Sequence, residues 1–159
     1  MRKILVLGIG NTLLSDEGVG VHVIEALRDR FAEADQVELL DGGTLSFTLA
    51  GPIEEADSLV VVDAAELKSA PGVVRVFEGE NMDAFLTGNR KSSVHEVGLI
   101  DLMAIARLSG HWPAQRALVA IQPEKVDWGE APTEKVAAAV PLACQHIQDL
   151  IGAWRDAPR

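Results

Sequence analysis

Four side chains in this sequence, three carboxylates and one imidazole, have the types and spacing that could do chemistry. Glu17, Asp41 and Asp63 each follow a short apolar run, and His95 lies in the stretch Ser-Ser-Val-His-Glu over 92–96. The apolar runs are typical of buried strands, and the carboxyl ends of parallel strands share one edge of a sheet, where open α/β folds gather their ligands. There, Glu17, Asp63 and a neutral His95 could hold a divalent cation with coordination positions left open. A cation held in this way can polarise a carbonyl group and activate a water molecule.

The stretch around His95 also predicts where a helix begins. Ser93 is followed three residues later by Glu96, which is a capping-box pattern. Ser93 would then be the N-cap, and His95 would lie in the first helical turn. At that position the imidazole is accessible at the mouth of a helix rather than packed in a core.

Each of these residues also has a purely structural interpretation. Glu17 and Asp63 could be ordinary acids at strand ends, and Asp41, which precedes two glycines, could cap a turn. Asp16, next to Glu17, is better explained as an acid at a helix N-terminus, where the helix dipole favours it. Spacing alone leaves both interpretations of the three-residue site open.

The glycines after the first apolar run raise the question of a nucleotide site. A dinucleotide fingerprint needs a third glycine after Gly8 and Gly10, and Leu13 stands at that position. The adjacent carboxylates of Asp16 and Glu17 would also repel a pyrophosphate. The sequence therefore predicts no nucleotide cofactor.

No serine or cysteine nucleophile is indicated either. The sequence contains no G-x-S-x-G motif, and Ser92 and Ser93 are explained by helix capping. Cys144 lies in an alanine-rich helical stretch without a histidine placed beside it, which is typical of a core cysteine.

Composition limits the class of protein. A chain of 159 residues is long enough for a full core, and we expect residues 1–159 to form a single domain. Its net charge of −10 disfavours nucleic acid or an anionic membrane as a partner. No apolar stretch approaches membrane-spanning length and no signal-peptide pattern follows Met1. The single cysteine excludes an internal disulfide, so we expect a cytoplasmic protein.

Hydrophobic periodicity predicts an alternation of strands and helices. The predicted strands cover 4–7, 37–40, 58–62, 72–78 and 117–121, and the predicted helices cover 18–32, 45–50, 94–108 and the chain from 133 onward. We expect Gly51 and Pro52 to stop the second helix, residues 79–91 to form a loop, and Pro141 to kink or restart the last helix. The alternation predicts an α/β fold with a mostly parallel sheet and helices on both faces.

Five motifs in order resemble the hydrogenase maturation endopeptidases and cover nearly the whole chain. They are Gly8-Ile-Gly-Asn-Thr-Leu-Leu-Ser-Asp-Glu-Gly-Val-Gly20, Asp41-Gly-Gly-Thr44, Val61-Val-Asp63-Ala64, Ser93-Val-His95-Glu96 and Ile121-Gln-Pro-Glu124. The first is long and specific, and the others are short but correctly placed. Glu130-Ala131-Pro132 stands where the family pattern has a Leu-Ser before the proline, which affects helix entry and not the site.

The resemblance implies both a fold and a reaction. The fold is a three-layer α/β/α sandwich around a five-stranded sheet with one antiparallel strand, which we expect to be the fourth. The reaction, by an aspartic-type or metal-dependent endopeptidase, removes a C-terminal extension from the nickel–iron hydrogenase large-subunit precursor after nickel insertion. By resemblance, Glu17, Asp63 and His95 contact the metal, and Asp41 is tied to activity or substrate recognition.

Three functions remain open at this point: this endopeptidase, another metal-dependent hydrolase, or a non-proteolytic nickel-sensing or chaperone module. The metal could be resident or could be carried by the precursor. A site of two carboxylates and one imidazole should hold nickel weakly by itself. We therefore expect the precursor to present the nickel, and we expect the protein to act as a monomer.

Overall fold

One five-stranded sheet lies at the centre of the fold. Its strands are β1 (Ile4–Ile9), β2 (Val37–Gly43), β3 (Ser58–Ala64), β4 (Val74–Glu78) and β5 (Gln115–Ile121). Their spatial order is β2-β1-β3-β5-β4. The pairs of β1 with β2, β1 with β3 and β3 with β5 are parallel, and β4 is antiparallel to β5. The predicted α/β sheet with an antiparallel fourth strand is confirmed.

The computed structural model describes residues 2–32, 35–43, 47–88 and 94–157, except the side chains of residues 47 and 94–97. The helices are α1 (Val19–Leu27), α2 (Ala50–Glu55), α3 (Glu80–Gly88), α4 (Val94–Leu108), α5 (Glu134–Ala137) and α6 (Val140–Asp156). Two 3-10 turns, Ser15–Gly18 and Phe47–Leu49, precede α1 and α2. None of the helices in these ranges is long and apolar enough to span a bilayer.

Alternate residues of the central strands feed two separate hydrophobic cores. Ile4 and Val6 of β1 pack with α1, α5 and α6 on one face of the sheet. Leu5 and Leu7 pack with α2, α3 and α4 on the other. Because both faces of β1 are covered, its sequence is a continuous apolar run, and each such side chain contributes roughly 1.5–3 kcal/mol on full burial. The three-layer α/β/α arrangement is confirmed.

The prediction that Gly51 and Pro52 stop a helix was wrong. Both lie in the first turn of α2, which starts at Ala50 and continues to Glu55. Proline is compatible with a first turn because the backbone N–H groups there have no partner within the helix. In the last helix, Pro141 lies at the first positions of α6, after the separate short helix α5, so the predicted restart is confirmed.

The prediction of a loop over 79–91 was also wrong, since α3 occupies most of it. Met82 and Leu86 are buried one helical turn apart, which is the apolar spacing that a short amphipathic helix needs. The first helix is shorter than predicted and ends at Leu27. Helix α4 begins at Val94 as predicted, whereas the expected N-cap Ser93 lies outside the described residues.

Candidate active site

The carboxyl ends of three parallel strands bring the predicted acids to one edge of the sheet. Gly8 of β1 pairs with Asp41 of β2 on one side and with Val62 of β3 on the other. Asp41 and Asp63 therefore flank the end of β1, about two strand spacings or 10 Å apart along the sheet.

The two aspartates lie on opposite faces of that edge. Asp63 pairs with Ala120, which belongs to the core that α2, α3 and α4 cover. Asp63 thus shares its face with α4, whose first turn contains His95. Asp41 lies on the α1 face, since it lines a cleft together with Val21 of that helix.

Two glycines place the turn that carries Glu17 against these strand ends. Gly10 has a φ of 139°, and a Cβ there would collide with the carbonyl oxygen of Glu17. A Cβ on Gly20 would collide with the carbonyl oxygen of Val62, the residue before Asp63. Only glycine allows so close an approach, so Gly10 brings the 3-10 turn against the end of β1 and Gly20 brings the start of α1, directly after the turn, against β3. The turn and β3 are in contact.

Glu17 and Asp63 therefore lie on contacting elements. Glu17 is half-buried, while Asp63 is 3% exposed. A carboxylate buried to that extent is costly unless a partner or a ligand compensates its charge. The third predicted member, His95, lies in the first turn of α4, a helix that packs on the same face of the sheet as Asp63, and its side chain is outside the described residues. Among the side chains that the structure describes, no group of three His, Cys, Asp or Glu residues could hold a metal ion.

A cleft of about 300 Å3 opens on the other side of the edge. It is lined by Gly10, Asn11, Thr12, Val21, Asp41 and Gly43. Asp41 is exposed there, and its Oδ1 accepts a hydrogen bond from the Gly43 N–H at 2.8 Å. The turn-capping interpretation of Asp41 is thus confirmed, and the same hydrogen bond fixes a carboxylate in the lining of the cleft.

Asp16 has a role that sequence reasoning missed. It is fully buried, and its carboxylate accepts hydrogen bonds from the backbone N–H groups of Glu124, Lys125 and Thr133 at 2.6–2.9 Å, and from the Thr133 hydroxyl. Asp16 therefore ties the turn that carries Glu17 to a segment more than 100 residues later. No local sequence pattern predicts such a contact. The one weak indication was Thr133, a polar residue at the predicted start of the last helix.

These contacts also set the protonation of Asp16. Burial alone raises the pKa of this carboxyl, but the hydrogen bonds from Lys125, Thr133 and Glu124 together outweigh burial and hold the pKa below its ordinary value of 3.8. A carboxyl whose pKa is lowered on folding contributes stability above its unfolded-state pKa. That contribution is lost as the pH falls through the folded-state pKa.

Replacing Asp16 with asparagine is expected to lower the free energy of unfolding by about 3 kcal/mol at neutral pH, because an amide nitrogen would face donors. Urea unfolding of Asp16→Asn measures this difference. Asp127→Asn, which changes an exposed carboxylate of the same segment, is the matched control and should stay within about 0.5 kcal/mol. The difference should shrink in acid, where the wild type also loses the charge; a constant difference down to about pH 2 would contradict this account.

Gln122, directly after β5, stabilises the same edge of the sheet. Its side chain is buried, accepts a hydrogen bond from the Leu67 N–H at 2.7 Å and donates one to Glu66 at 3.1 Å. It therefore fixes the loop after β3 to the end of β5. These hydrogen bonds give the glutamine of the fifth motif a structural role.

Cys144 lies away from this edge, in the core. Its sulfur is buried and 4.0 Å from the Val23 carbonyl oxygen, and burial raises the pKa of the thiol. A protonated, inaccessible thiol is a poor nucleophile. The prediction of a core cysteine is confirmed.

Comparison with known proteins points in one direction. The family model described as HycI, hydrogenase maturation protease, matches residues 21–150. The chain is 38% identical over 146 residues to the hydrogenase 2 maturation protease of Escherichia coli K12, covering 91% of this chain and 88% of that protein. It is 37% identical over 153 residues to the hydrogenase expression/formation protein HupD of Rhizobium leguminosarum bv. viciae, covering 96% and 75%. The structure of the hydrogenase maturating endopeptidase HybD from E. coli superposes with a TM-score of 0.89 at 36% identity, covering 95% and 93%.

Proposed function

This chain belongs to the hydrogenase maturation protease family, and on that premise we propose that it removes a C-terminal extension from the nickel–iron hydrogenase large-subunit precursor after nickel insertion. It is a protease, and its substrate is a hydrogenase precursor. The observation that carries the proposal is the contact of the Glu17 turn with β3, the strand that ends at Asp63, on a sheet whose Asp63 face is covered by α4.

The donor set fits a divalent cation. Glu17 and Asp63 supply carboxylate oxygens, and His95 supplies an imidazole nitrogen, which together suit a borderline ion such as nickel. Asp63 is buried on the sheet face that α4 covers. A cation bound on that face would compensate the negative charge of its carboxylate. These three residues are our proposed contacts to nickel, and we propose that the precursor carries the ion as part of the substrate.

In this arrangement the protein residues recognise and orient the substrate. Contacts of Glu17, Asp63 and His95 with the loaded centre hold the precursor at one face of the edge. The cleft beside Asp41 then takes the extension as an extended peptide on the other face. The exposed Asp41 carboxylate, fixed by the Gly43 N–H, is the proposed group that positions the scissile peptide or its attacking water.

We further propose that the chain works as a single domain over residues 1–159, as a monomer and in the cytoplasm, without a nucleotide. The net charge of −10 supports the monomer, since copies of the chain repel one another.

Incubation of the purified protein with nickel-loaded precursor tests the function. We expect mass spectrometry to find two products, a shortened large subunit and a short C-terminal peptide, whose masses sum to that of the precursor plus one water. A stable complex without cleavage would instead favour a chaperone or nickel-sensing module. Hydrolysis of unrelated peptides but not of this precursor would favour another hydrolase.

A further inference from the structure

The turn before Glu17 is joined to the segment 124–129 in a small structured surface. Leu14 and Gly129 form a parallel β-bridge, the Gly129 N–H donates to the Leu13 carbonyl at 2.9 Å, and the Ser15 N–H donates to the Gly129 carbonyl at 2.8 Å. The Ser15 hydroxyl adds a hydrogen bond to the Asp127 carbonyl. The hydrogen bonds of the buried Asp16 with Glu124 and Lys125 add to these contacts, so the two segments are held in fixed relative positions.

This surface exposes large apolar side chains. Leu13 is 50% exposed, Val126 is 56% exposed and Trp128 is 79% exposed. Leu13 and Trp128 precede the bridged pair by one residue each, so they are neighbours across the bridge. We call these three residues the Trp128 platform. An exposed tryptophan on a rigid support is typical of binding anchors, because little side-chain entropy remains to be lost.

The platform is continuous with the candidate site. Asn11 and Thr12 line the cleft beside Asp41, and the next residue is Leu13. The Asn11 side chain accepts a hydrogen bond from the Leu13 N–H at 2.9 Å, which fixes the corner between cleft and platform. A polypeptide that leaves the cleft at Thr12 would next reach Leu13, which lies across the bridge from Trp128.

Charge selects among possible occupants of this surface. The segment 122–132 carries three acids, Glu124, Asp127 and Glu130, and one base, Lys125. Glu124 is paired with Lys135, whereas Asp127 and Glu130 are exposed on either side of Trp128. Together with the net charge of −10, these carboxylates disfavour a second copy of the chain and favour a positively charged partner.

We propose that the Trp128 platform docks a segment of the hydrogenase precursor that presents an apolar side chain flanked by lysine or arginine. The apolar side chain packs on Leu13 and Trp128, and the basic side chains meet Asp127 and Glu130. The platform thereby selects the precursor at a distance from the scissile bond. This inference rests on the proposed function.

Steady-state processing of nickel-loaded precursor by Trp128→Ser tests the platform. We expect KM to rise about tenfold or more while kcat stays within about twofold, because binding is lost and the catalytic residues are untouched. Leu108→Ser is the matched control: Leu108 is 90% exposed at the end of α4, near the opposite edge of the sheet, and its KM should not change. Raising the salt concentration should raise the KM of the wild type more than that of the double variant Asp127→Asn, Glu130→Gln.

The outcomes separate the platform from the function. If the wild type does not cut the precursor at all, the proposed function fails. If it does cut, but Trp128→Ser keeps the wild-type KM, the platform proposal is overturned and the function stands. A wild-type dimer in sedimentation that Trp128→Ser dissociates would also overturn it, in favour of a second copy as the occupant.

Discussion

Glu17→Gln is expected to abolish processing of nickel-loaded precursor while the protein stays folded. The substitution keeps the shape of the side chain and removes the charge that faces the loaded centre in our proposal. Loss of a metal contact that contributes several kcal/mol lowers the rate roughly a thousandfold. Glu17 is half-buried in a 3-10 turn, so the melting temperature should fall by no more than about 2 °C. Processing followed by gel shift, together with thermal unfolding, measures both effects of Glu17→Gln.

His95→Ala should behave in the same way, since α4 begins at Val94 and the histidine lies in its first turn. Glu80→Gln is the matched control, because Glu80 is exposed and follows β4, whose end pairs with the start of β5 at the opposite edge. Cys144→Ser should also stay active. Unfolding of Glu17→Gln would support a structural role, and a folded but inactive Cys144→Ser would support a cysteine mechanism.

The central strands were predictable from sequence because burial on both faces leaves a direct trace. Every residue of β1 is buried, as are six of the seven residues of β3. Apart from Ser58 and Asp63, the buried residues of β3 are apolar, so both strands contain a continuous apolar run in the sequence. Helix α3 left a weaker trace, since only Met82 and Leu86 are fully buried among polar neighbours. Pro52 was correctly taken to mark a helix boundary. A proline in the first turn of a helix and a proline just after a helix cannot be told apart, however, unless it is known where the helix begins.

The edge on which the acids gather was also predictable, whereas their distribution between its faces was not. Parallel strands place their carboxyl ends at one edge of the sheet whatever their order, but the face of each side chain depends on register. Only the pairing of Asp63 with Ala120 and of Asp41 with Gly8 separates the two aspartates. The contacts of Asp16 with Thr133 were out of reach for the same reason, since they join residues 117 positions apart.

This separation of faces suggests a division of labour. In our proposal, Glu17, Asp63 and His95 supply the contacts to nickel, while the cleft beside Asp41, about 300 Å3 in volume, takes the peptide. If the two halves act on different parts of one substrate, metal recognition and peptide cleavage become linked through the position of the precursor. An empty precursor could still enter the cleft, but it would lack the contact that orients its scissile bond.

Nickel-free precursor is therefore expected to resist the enzyme, even with the enzyme in excess. The proposed site contains two carboxylates and one imidazole and no thiolate, a donor set that holds nickel weakly by itself. Nickel already bound by the precursor would gain these donors as added contacts, and the peptide would be positioned as a result. Without the ion the encounter is not oriented, and cleavage should fall by about a hundredfold or more.

The measurement compares loaded and nickel-free precursor, each with a chelator present throughout so that the enzyme carries no metal of its own. Asp63→Asn should raise the KM for loaded precursor, because it removes a buried negative charge from the contact. The same variant should leave the slow background cleavage of nickel-free precursor unchanged, since no ion is there to be contacted. Efficient cutting of nickel-free precursor in chelator would contradict recognition of a substrate-borne nickel. The carboxylates at this edge would then have to act on the peptide directly, as in a metal-independent protease.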